Sequence, residues 1–527
     1  MLTLRILLLA LMLLLPLAAP ARHFRWASQG DATSLDPHAQ NENVTNQLNA
    51  MVYETLLTYD KQMKLVPALA TAYENPQSNR WVFHLRNGVK FQDGTPFTAD
   101  DVVFSFERAK LTTASFKLYA TEAGTARKVD DYTVEFVTAA PNPVLPSMVA
   151  NVFIMSRAWC EKNKSAKPQD IRDREETFAA LNANGTGPYI LEKREPGVRT
   201  THRRNPGWWG AKEGRFEGNA DTVEYRPLAN AATRMAALRS GELDFVLDPP
   251  VQDIANLRND PSIKVWEGPE TRVIFVGFDQ ARDQLLYSTV TGKNPFKDRR
   301  VRLALWQAID TNAIRTQVMR GLSVPTGIAL PDPAGSGIPD SMEKRPPYDV
   351  AAAKKLLAEA GYPNGFGFTI TCPNNRYIND EKICTAIAAM WAKAGLDVKV
   401  EALPRGQFFP KALKLEVSAF IWGWGSDSPD AYFTLKPVLH SRDEAHGMGT
   451  NNVGNYRNAE LDGAIDQSSN EMDRARRQQL IDRAVEIVQD EVLVIPLHRQ
   501  VIPWASRANV TVVHRPNNSL YLPWVRL

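Results

Sequence analysis

Two hydrophobic periods alternate along this chain. Tyr53 to Tyr59 and Trp81 to Leu85 set apolar and polar side chains in turn, the two-residue period of a half-buried strand. Asn87-Gly88 and Asp93-Gly94 bracket the short run Val89-Lys90-Phe91 as hairpin turns do, which predicts a meander. Thr98 stands three residues before Asp101 and just ahead of Val102, Val103, Phe104 and Phe106. Its hydroxyl is expected to cap a helix whose apolar stripe packs on that meander. Further on, a helical period recurs over residues 231–240, 299–309, 351–360, 380–394 and 473–489, and Gly241, Gly361 and Gly395 close three of these runs where a left-handed cap is easiest. Short apolar runs interleave at 273–278, 368–371, 398–402 and 417–422, and the chain returns to extended patterns at 494–497 and 510–513. Strands alternating with helices predict α/β layers with both sheet faces covered.

The first residues break from this pattern. Arg5, the apolar run Ile6 to Leu15 and the small residues Ala19-Pro20-Ala21 read as a secretory signal, with the mature chain beginning near Arg22. A membrane anchor is the rival reading, but the run breaks at Pro16, short of the roughly 20 residues that span a bilayer. No cysteine lies beside the cleavage site, so a lipid anchor has no thiol to use, and a freely diffusing protein of a Gram-negative periplasm is expected. The 527 residues exceed one domain several times over, so more than one core is expected. A net charge of +3 without a tail of either sign argues against nucleic acid as a partner. The three cysteines are too few and scattered for a disulfide scaffold; Cys372 and Cys384 suit either a bridge in an oxidising compartment or two buried thiols.

A secreted hydrolase is the rival class, and its motifs are missing. The chain has no Gly-x-Ser-x-Gly elbow, no His-Glu-x-x-His helix, no Walker-type loop and no Gly-x-Gly-x-x-Gly fingerprint, so no catalytic residue is assigned and no cofactor is expected. His440 and His446 lie close together but lack a third ligand, so they are read as solvated loop histidines and no metal site is assigned. The acid pairs Asp100-Asp101 and Asp130-Asp131 fit helix-start and turn roles better than a glycosidase pair.

Several blocks, read in order, resemble the periplasmic substrate-binding proteins of peptide and nickel ABC importers, family 5, of dipeptide- and oligopeptide-binding type. They are Ser34-Leu35-Asp36-Pro37, Tyr53-Glu54-Thr55-Leu56-Leu57, the stretch from Phe83 to Pro96 running on to Asp101-Val102, Gly185-Thr186-Gly187-Pro188-Tyr189, Gly241-Glu242-Leu243-Asp244, Ala308-Ile309-Asp310, Ala358 to Pro363, and Gly423-Trp424. The resemblance implies a bilobal α/β periplasmic-binding-protein fold (Venus flytrap, type II) with an extra domain packed on the first lobe. Carried onto this chain it places the first lobe in 22–60, 185–270 and 495–527, the extra domain in 61–184 and the second lobe in 271–494. It further implies a monomer that binds a di- or short oligopeptide between its lobes, does no covalent chemistry, and passes the ligand to an inner-membrane ABC permease complex. The same fold holding a non-peptide solute (a metal chelate, haem, glutathione, an opine or an oligosaccharide) is the near alternative.

A zwitterionic peptide stripped of water needs a charged partner at each end. Asp427 follows an apolar strand among glycines and aromatics, at a sheet lip where ligands of open α/β layers bind, and it aligns with the aspartate that receives the peptide ammonium in the family. Arg376 follows another predicted strand in Cys372-Pro373-Asn374-Asn375-Arg376; the resemblance gives it the peptide carboxylate, which a guanidinium grips through two parallel hydrogen bonds. A turn aspartate and a solvated loop arginine are the plainer readings. Trp422 and Trp424, separated by Gly423, fall on one strand face and are expected to line the cleft. Ser34, in the loop from Gly30 to Leu35, is expected to approach the ligand from the first lobe.

Overall fold

The computed structural model describes residues 21–171, 176–331, 337–426, 428–443 and 448–527. The signal run and Asp427 therefore lie outside the described residues. One sheet of eleven strands runs through both lobes. Its strands are β1 (His23–Ser28), β2 (Tyr189–Glu195), β3 (Arg199–Arg204), β4 (Thr222–Pro227), β5 (Phe245–Val246), β6 (Ile263–Phe278), β7 (Ser323–Pro325), β8 (Gly367–Pro373), β9 (Asp397–Leu403), β10 (Ala419–Gly425) and β11 (Ile495–Arg507). Their spatial order is β9-β8-β10-β6-β11-β5-β1-β4-β3-β2, with β7 paired to β11.

Two strands, β6 and β11, are far longer than the rest and run antiparallel to one another. At one end β6 pairs with β10 of the second lobe; at the other, β11 pairs with β5 of the first. The short apolar runs seen at 273–278 and 494–497 are thus parts of strands that continue across both lobes, while 510–513 contributes only an isolated bridge, Thr511 to Arg526.

In the second lobe, alternation along β6 feeds two cores. Ile274, Val276 and Phe278 join Phe368, Ile370 and Trp391 on one face, whereas Val273 and Phe275 join Trp422, Phe408 and Val485 on the other. Both faces are covered by helices, as the predicted α/β layering requires. The first lobe repeats the arrangement: Phe24 and Trp26 pack under the helix α1 (Asn43–Val52), and Ala27 and Val246 pack against the helix at Ala231–Ser240.

A separate four-stranded antiparallel sheet (Ala70–Gln77, Arg80–Leu85, Thr125–Asp130 and Thr133–Val137) packs on helix α2 (Ala99–Ala109) through Phe83, Val102, Phe106 and Phe136. The Asp101 carboxylate accepts the Thr98 N–H at 2.9 Å, the reciprocal half of the capping motif. The run Val89–Phe91 folds back through hydrogen bonds Phe91 N–H to Thr95 O (2.8 Å) and Phe97 N–H to Val89 O (3.0 Å), with Gly88 and Gly94 at positive φ. This unit is tied to the first lobe by a fully buried ion pair: Arg108 meets both oxygens of Asp36 at 2.6 and 2.8 Å, and donates to His38 Nδ1 at 3.1 Å. His38 Nε2 lies 2.8 Å from the carbonyl of Phe153, which fixes the proton on that nitrogen.

Candidate functional site

Strand β6 changes register against β11 between Pro269 and Val273. Glu270, Thr271 and Arg272, which lose their pairing with β11 at that break, line a cavity of about 490 Å³ between the lobes. This volume falls within the roughly 300–1,000 Å³ of small-molecule sites. Glu270 is buried with both oxygens engaged, one by Arg272 Nε at 3.1 Å and one by Gln500 Nε2 at 2.6 Å, so the two crossing strands are joined side chain to side chain.

The wall from the second lobe is built on the loop after β8, before helix α3 (Asp380–Lys393). The buried Asp380 carboxylate accepts the backbone N–H groups of Arg376 and Tyr377 at 2.9 and 3.0 Å, which fixes the direction in which both side chains leave. Gln500 accepts the N–H of Ile378 at 3.2 Å. A disulfide between Cys372, in β8, and Cys384, in α3, closes this loop at its base. Tyr377 packs against Gly423, its hydroxyl donating to the Gly423 carbonyl at 3.0 Å; a Cβ there would stand 2.5 Å from the ring. The guanidiniums of Arg376 and Arg272 lie 5.3 and 6.0 Å from the centre of that ring.

Arg376 opens onto the water of the cleft while protein surrounds it on most sides. Loss of solvent, and then the neighbouring charge of Arg272, depress its pKa, so the site favours an anion that would relieve both. Among the described residues no carboxylate pairs with Arg376. The wall from the first lobe is rich in amides: Asn41, Asn43 and Asn46 from the start of α1, and Asn517 and Asn518 from the C-terminal segment. They are held by bonds such as Asn46 Nδ2 to Asn41 Oδ1 (2.7 Å) and Trp504 Nε1 to Asn518 Oδ1 (2.8 Å). Side-chain amides both donate and accept, as a peptide backbone requires of its partner. Asp248 also faces the cavity but is already met by Ser28, Gln29 and Arg234.

Of the residues expected from sequence, Arg376, Trp422 and Trp424 come together on this cavity. Trp422 is almost wholly buried; Trp424 is half-buried and donates its indole N–H to the Phe433 carbonyl at 2.8 Å. Asp427 follows directly on this strand segment, outside the described residues. Ser34 does not reach the site: it is fully buried off the cavity, where its hydroxyl accepts the Asp36 N–H at 3.0 Å and so shapes the turn that presents Asp36 to Arg108. The first lobe instead contributes Ser28, Gln29 and the residues opening α1. His440 is not a solvated loop residue either: it is buried, with Nδ1 2.7 Å from the Ser441 carbonyl and Nε2 3.3 Å from Asp466, and His446 lies outside the described residues. Sequence reasoning missed Glu270, Thr271 and Arg272, though a polar triplet interrupting an otherwise apolar strand was the available signal.

A family model described as bacterial extracellular solute-binding proteins, family 5 middle, matches residues 64–446. The chain belongs to this family. Family 5 proteins are the solute-binding receptors of ABC importers, not enzymes. The chain is 29% identical over 486 residues to the heme-binding protein A of Haemophilus influenzae, covering 86% of this chain and 83% of that one. It is 27% identical over 494 residues to the glutathione-binding protein GsiB of Escherichia coli K12, covering 91% and 89%. The solved dipeptide-binding protein from Pseudoalteromonas sp. SM9913, in complex with Met-Leu, superposes with a TM-score of 0.79 at 22% identity, covering 96% of this chain and 100% of that one, and shows the shared fold.

Proposed function

We propose that the solute of this family 5 receptor is a short peptide or peptide-like molecule, held between the lobes after export to the periplasm and delivered to an inner-membrane permease. The observation that carries this reading is Arg376, a cation without a carboxylate partner among the described residues, set in the cleft opposite a wall of side-chain amides. Arg376 would take the peptide carboxylate, Asp427 the ammonium, and Trp422 and Trp424 would bound the side chains. The same reading divides the chain at 22–60, 185–270 and 495–527 for the first lobe, 61–184 for the extra domain and 271–494 for the second lobe; the register break at Pro269 to Val273 supports a crossing there. Closure is then a shift of population, since a solute touching both walls favours the state in which both are near.

Titration calorimetry of the mature chain with a panel of dipeptides tests this directly. Dipeptides should bind, and Arg376→Gln and Asp427→Asn should each weaken them roughly 10- to 100-fold, the worth of a hydrogen-bonded charge. The names of the relatives favour one second reading, a haem- or glutathione-type solute. A protein that took up such a molecule and ignored every dipeptide would keep its family and lose the proposed ligand class.

A further inference from the structure

Arg376 is not the only guanidinium on its wall without a carboxylate partner among the described residues. Arg405 opens helix α4 (Arg405–Leu413), and Arg405, Phe409 and Leu413, one turn apart, all line the cavity, so one face of that helix belongs to the site. Among the described residues Arg405 too has no carboxylate partner. The two arginines leave neighbouring elements. β8 and β9 are parallel and in register, with Pro373 opposite Leu403, so Arg376 lies three residues beyond one strand end and Arg405 two beyond the next. The loops are also laced together: the Asn374 N–H donates to the Leu403 carbonyl at 3.0 Å, and Asn375 Oδ1 accepts the Arg405 N–H at 2.7 Å. With strands about 4.8 Å apart, the bases of the two side chains are on the order of 5–10 Å apart.

Among the described residues, the acidic side chains that line the cavity are already engaged elsewhere. Glu270 is taken by Arg272 and Gln500, Asp248 by Arg234, and Glu42 caps α1 by accepting the N–H groups of Val44 and Thr45 at 3.1 and 3.2 Å. The same cavity carries apolar surface: Phe409 stands edge-on to Trp422 at 5.2 Å and 89°. The buried indole N–H of Trp422 has no acceptor among the described residues.

We infer that the receptor selects a solute bearing two separate anionic groups, with Arg376 holding one and Arg405 the other. For a peptide this means an acidic residue at the carboxyl end, its α-carboxylate on Arg376, its side-chain carboxylate on Arg405 and its methylenes along Phe409. A single carboxylate would have to be shared between the two guanidiniums, so neither would be held through two parallel hydrogen bonds. The inference rests on the peptide reading above and fixes which peptides it concerns.

Calorimetry with Ala-Glu and its isostere Ala-Gln tests the inference, because the pair differs only in charge. Ala-Glu should bind the mature chain about tenfold or more tightly than Ala-Gln. Arg405→Gln should weaken Ala-Glu by about the same factor and bring the ratio close to one, and Arg405→Lys should restore part of it; circular dichroism melts check that each variant is folded. Equal affinities for the two peptides, or a preference that survives Arg405→Gln, would overturn the inference while leaving a peptide receptor standing. Binding of neither peptide while other dipeptides bind would overturn the inference alone, and failure of every dipeptide would remove the peptide reading and this inference with it.

Discussion

His202 and His498 are buried within the great sheet, and among the described residues neither ring nitrogen of His202, nor Nε2 of His498, has a hydrogen-bond partner. Burial pushes their pKa values down to about 3 and about 4, with the charge of Arg194 adding to the effect at His202. An unfolded histidine titrates near 6.5, so between roughly pH 6.5 and pH 4 the unfolded chain binds more protons than the folded one. Stability should therefore fall as the pH drops through that window, by up to about 1.4 kcal/mol per pH unit for each histidine. Asp36 acts lower down. Burial alone would raise its pKa, but Arg108 overrides this and holds it below the ordinary carboxylate range, so its contribution persists until more acid conditions and is lost below about pH 4. Urea midpoints measured at pH 6, 5 and 4 should decline, and His498→Gln should flatten that decline; midpoints that do not move from pH 6 to pH 4 would contradict it.

Helices were the most legible elements, and their limits show why. The run at 231–240 is a helix over those residues, and those at 351–360 and 380–394 shift by only a residue at an end, because glycines at positive φ stop each one where the pattern stops. Helix α1 was missed: Asn43, Asn46 and Asn49 give it a polar face with little propensity, and its start is fixed by tertiary contacts to residues near the C-terminus. The lengths of β6 and β11 were hidden for a related reason. Pro269 and Pro503 interrupt the apolar alternation, and the polar residues between belong to the cleft rather than to a core. Arg376 could be read from its position after a strand, but Arg405 could not, since its place in the site depends on β8 and β9 being adjacent. The Cys372–Cys384 bridge was open in sequence and is formed in the fold, around the loop that carries Asn375, Arg376 and Tyr377. With a sequence separation of 12 the bridge should stabilise the fold by about 3 kcal/mol through restriction of the unfolded chain. The paired change Cys372→Ser with Cys384→Ser should lower the urea midpoint accordingly and weaken solute binding more than Cys160→Ser, which removes a free buried thiol away from the cleft. Binding that is unchanged while the midpoint falls would show that the bridge stabilises the lobe without positioning the loop.

At the scale of the whole molecule, two antiparallel strands cross between lobes whose large cores are distinct, so bending at the Pro269–Val273 break need not disrupt either core. Opening would also have to break contacts that join the second lobe to the extra domain. Tyr432 and Phe433, just beyond Asp427, pack into the apolar cluster of the extra domain, and Phe433 meets Tyr119 with ring centres 5.9 Å apart. Beside them the Tyr432 hydroxyl donates to Glu122 at 3.0 Å, and Lys436 reaches the same carboxylate at 2.8 Å from a largely buried position. Such a latch favours the closed form with or without solute, and so sets how much of the binding free energy is spent on closing. A partly buried pair of this kind is worth about 1 kcal/mol, which corresponds to a roughly fivefold change in affinity. Glu122→Ala should therefore raise the Kd about fivefold, mainly through faster release, and enlarge the radius of gyration of the unliganded protein in small-angle scattering without changing that of the saturated one. Lys436→Met should act on the same contact, so the double variant should cost clearly less than the sum of the two single changes. Additive losses, or an unliganded radius that Glu122→Ala leaves unchanged, would mean that the contact merely joins two surfaces that stay together throughout, and that closure is governed by the solute and the crossing strands alone.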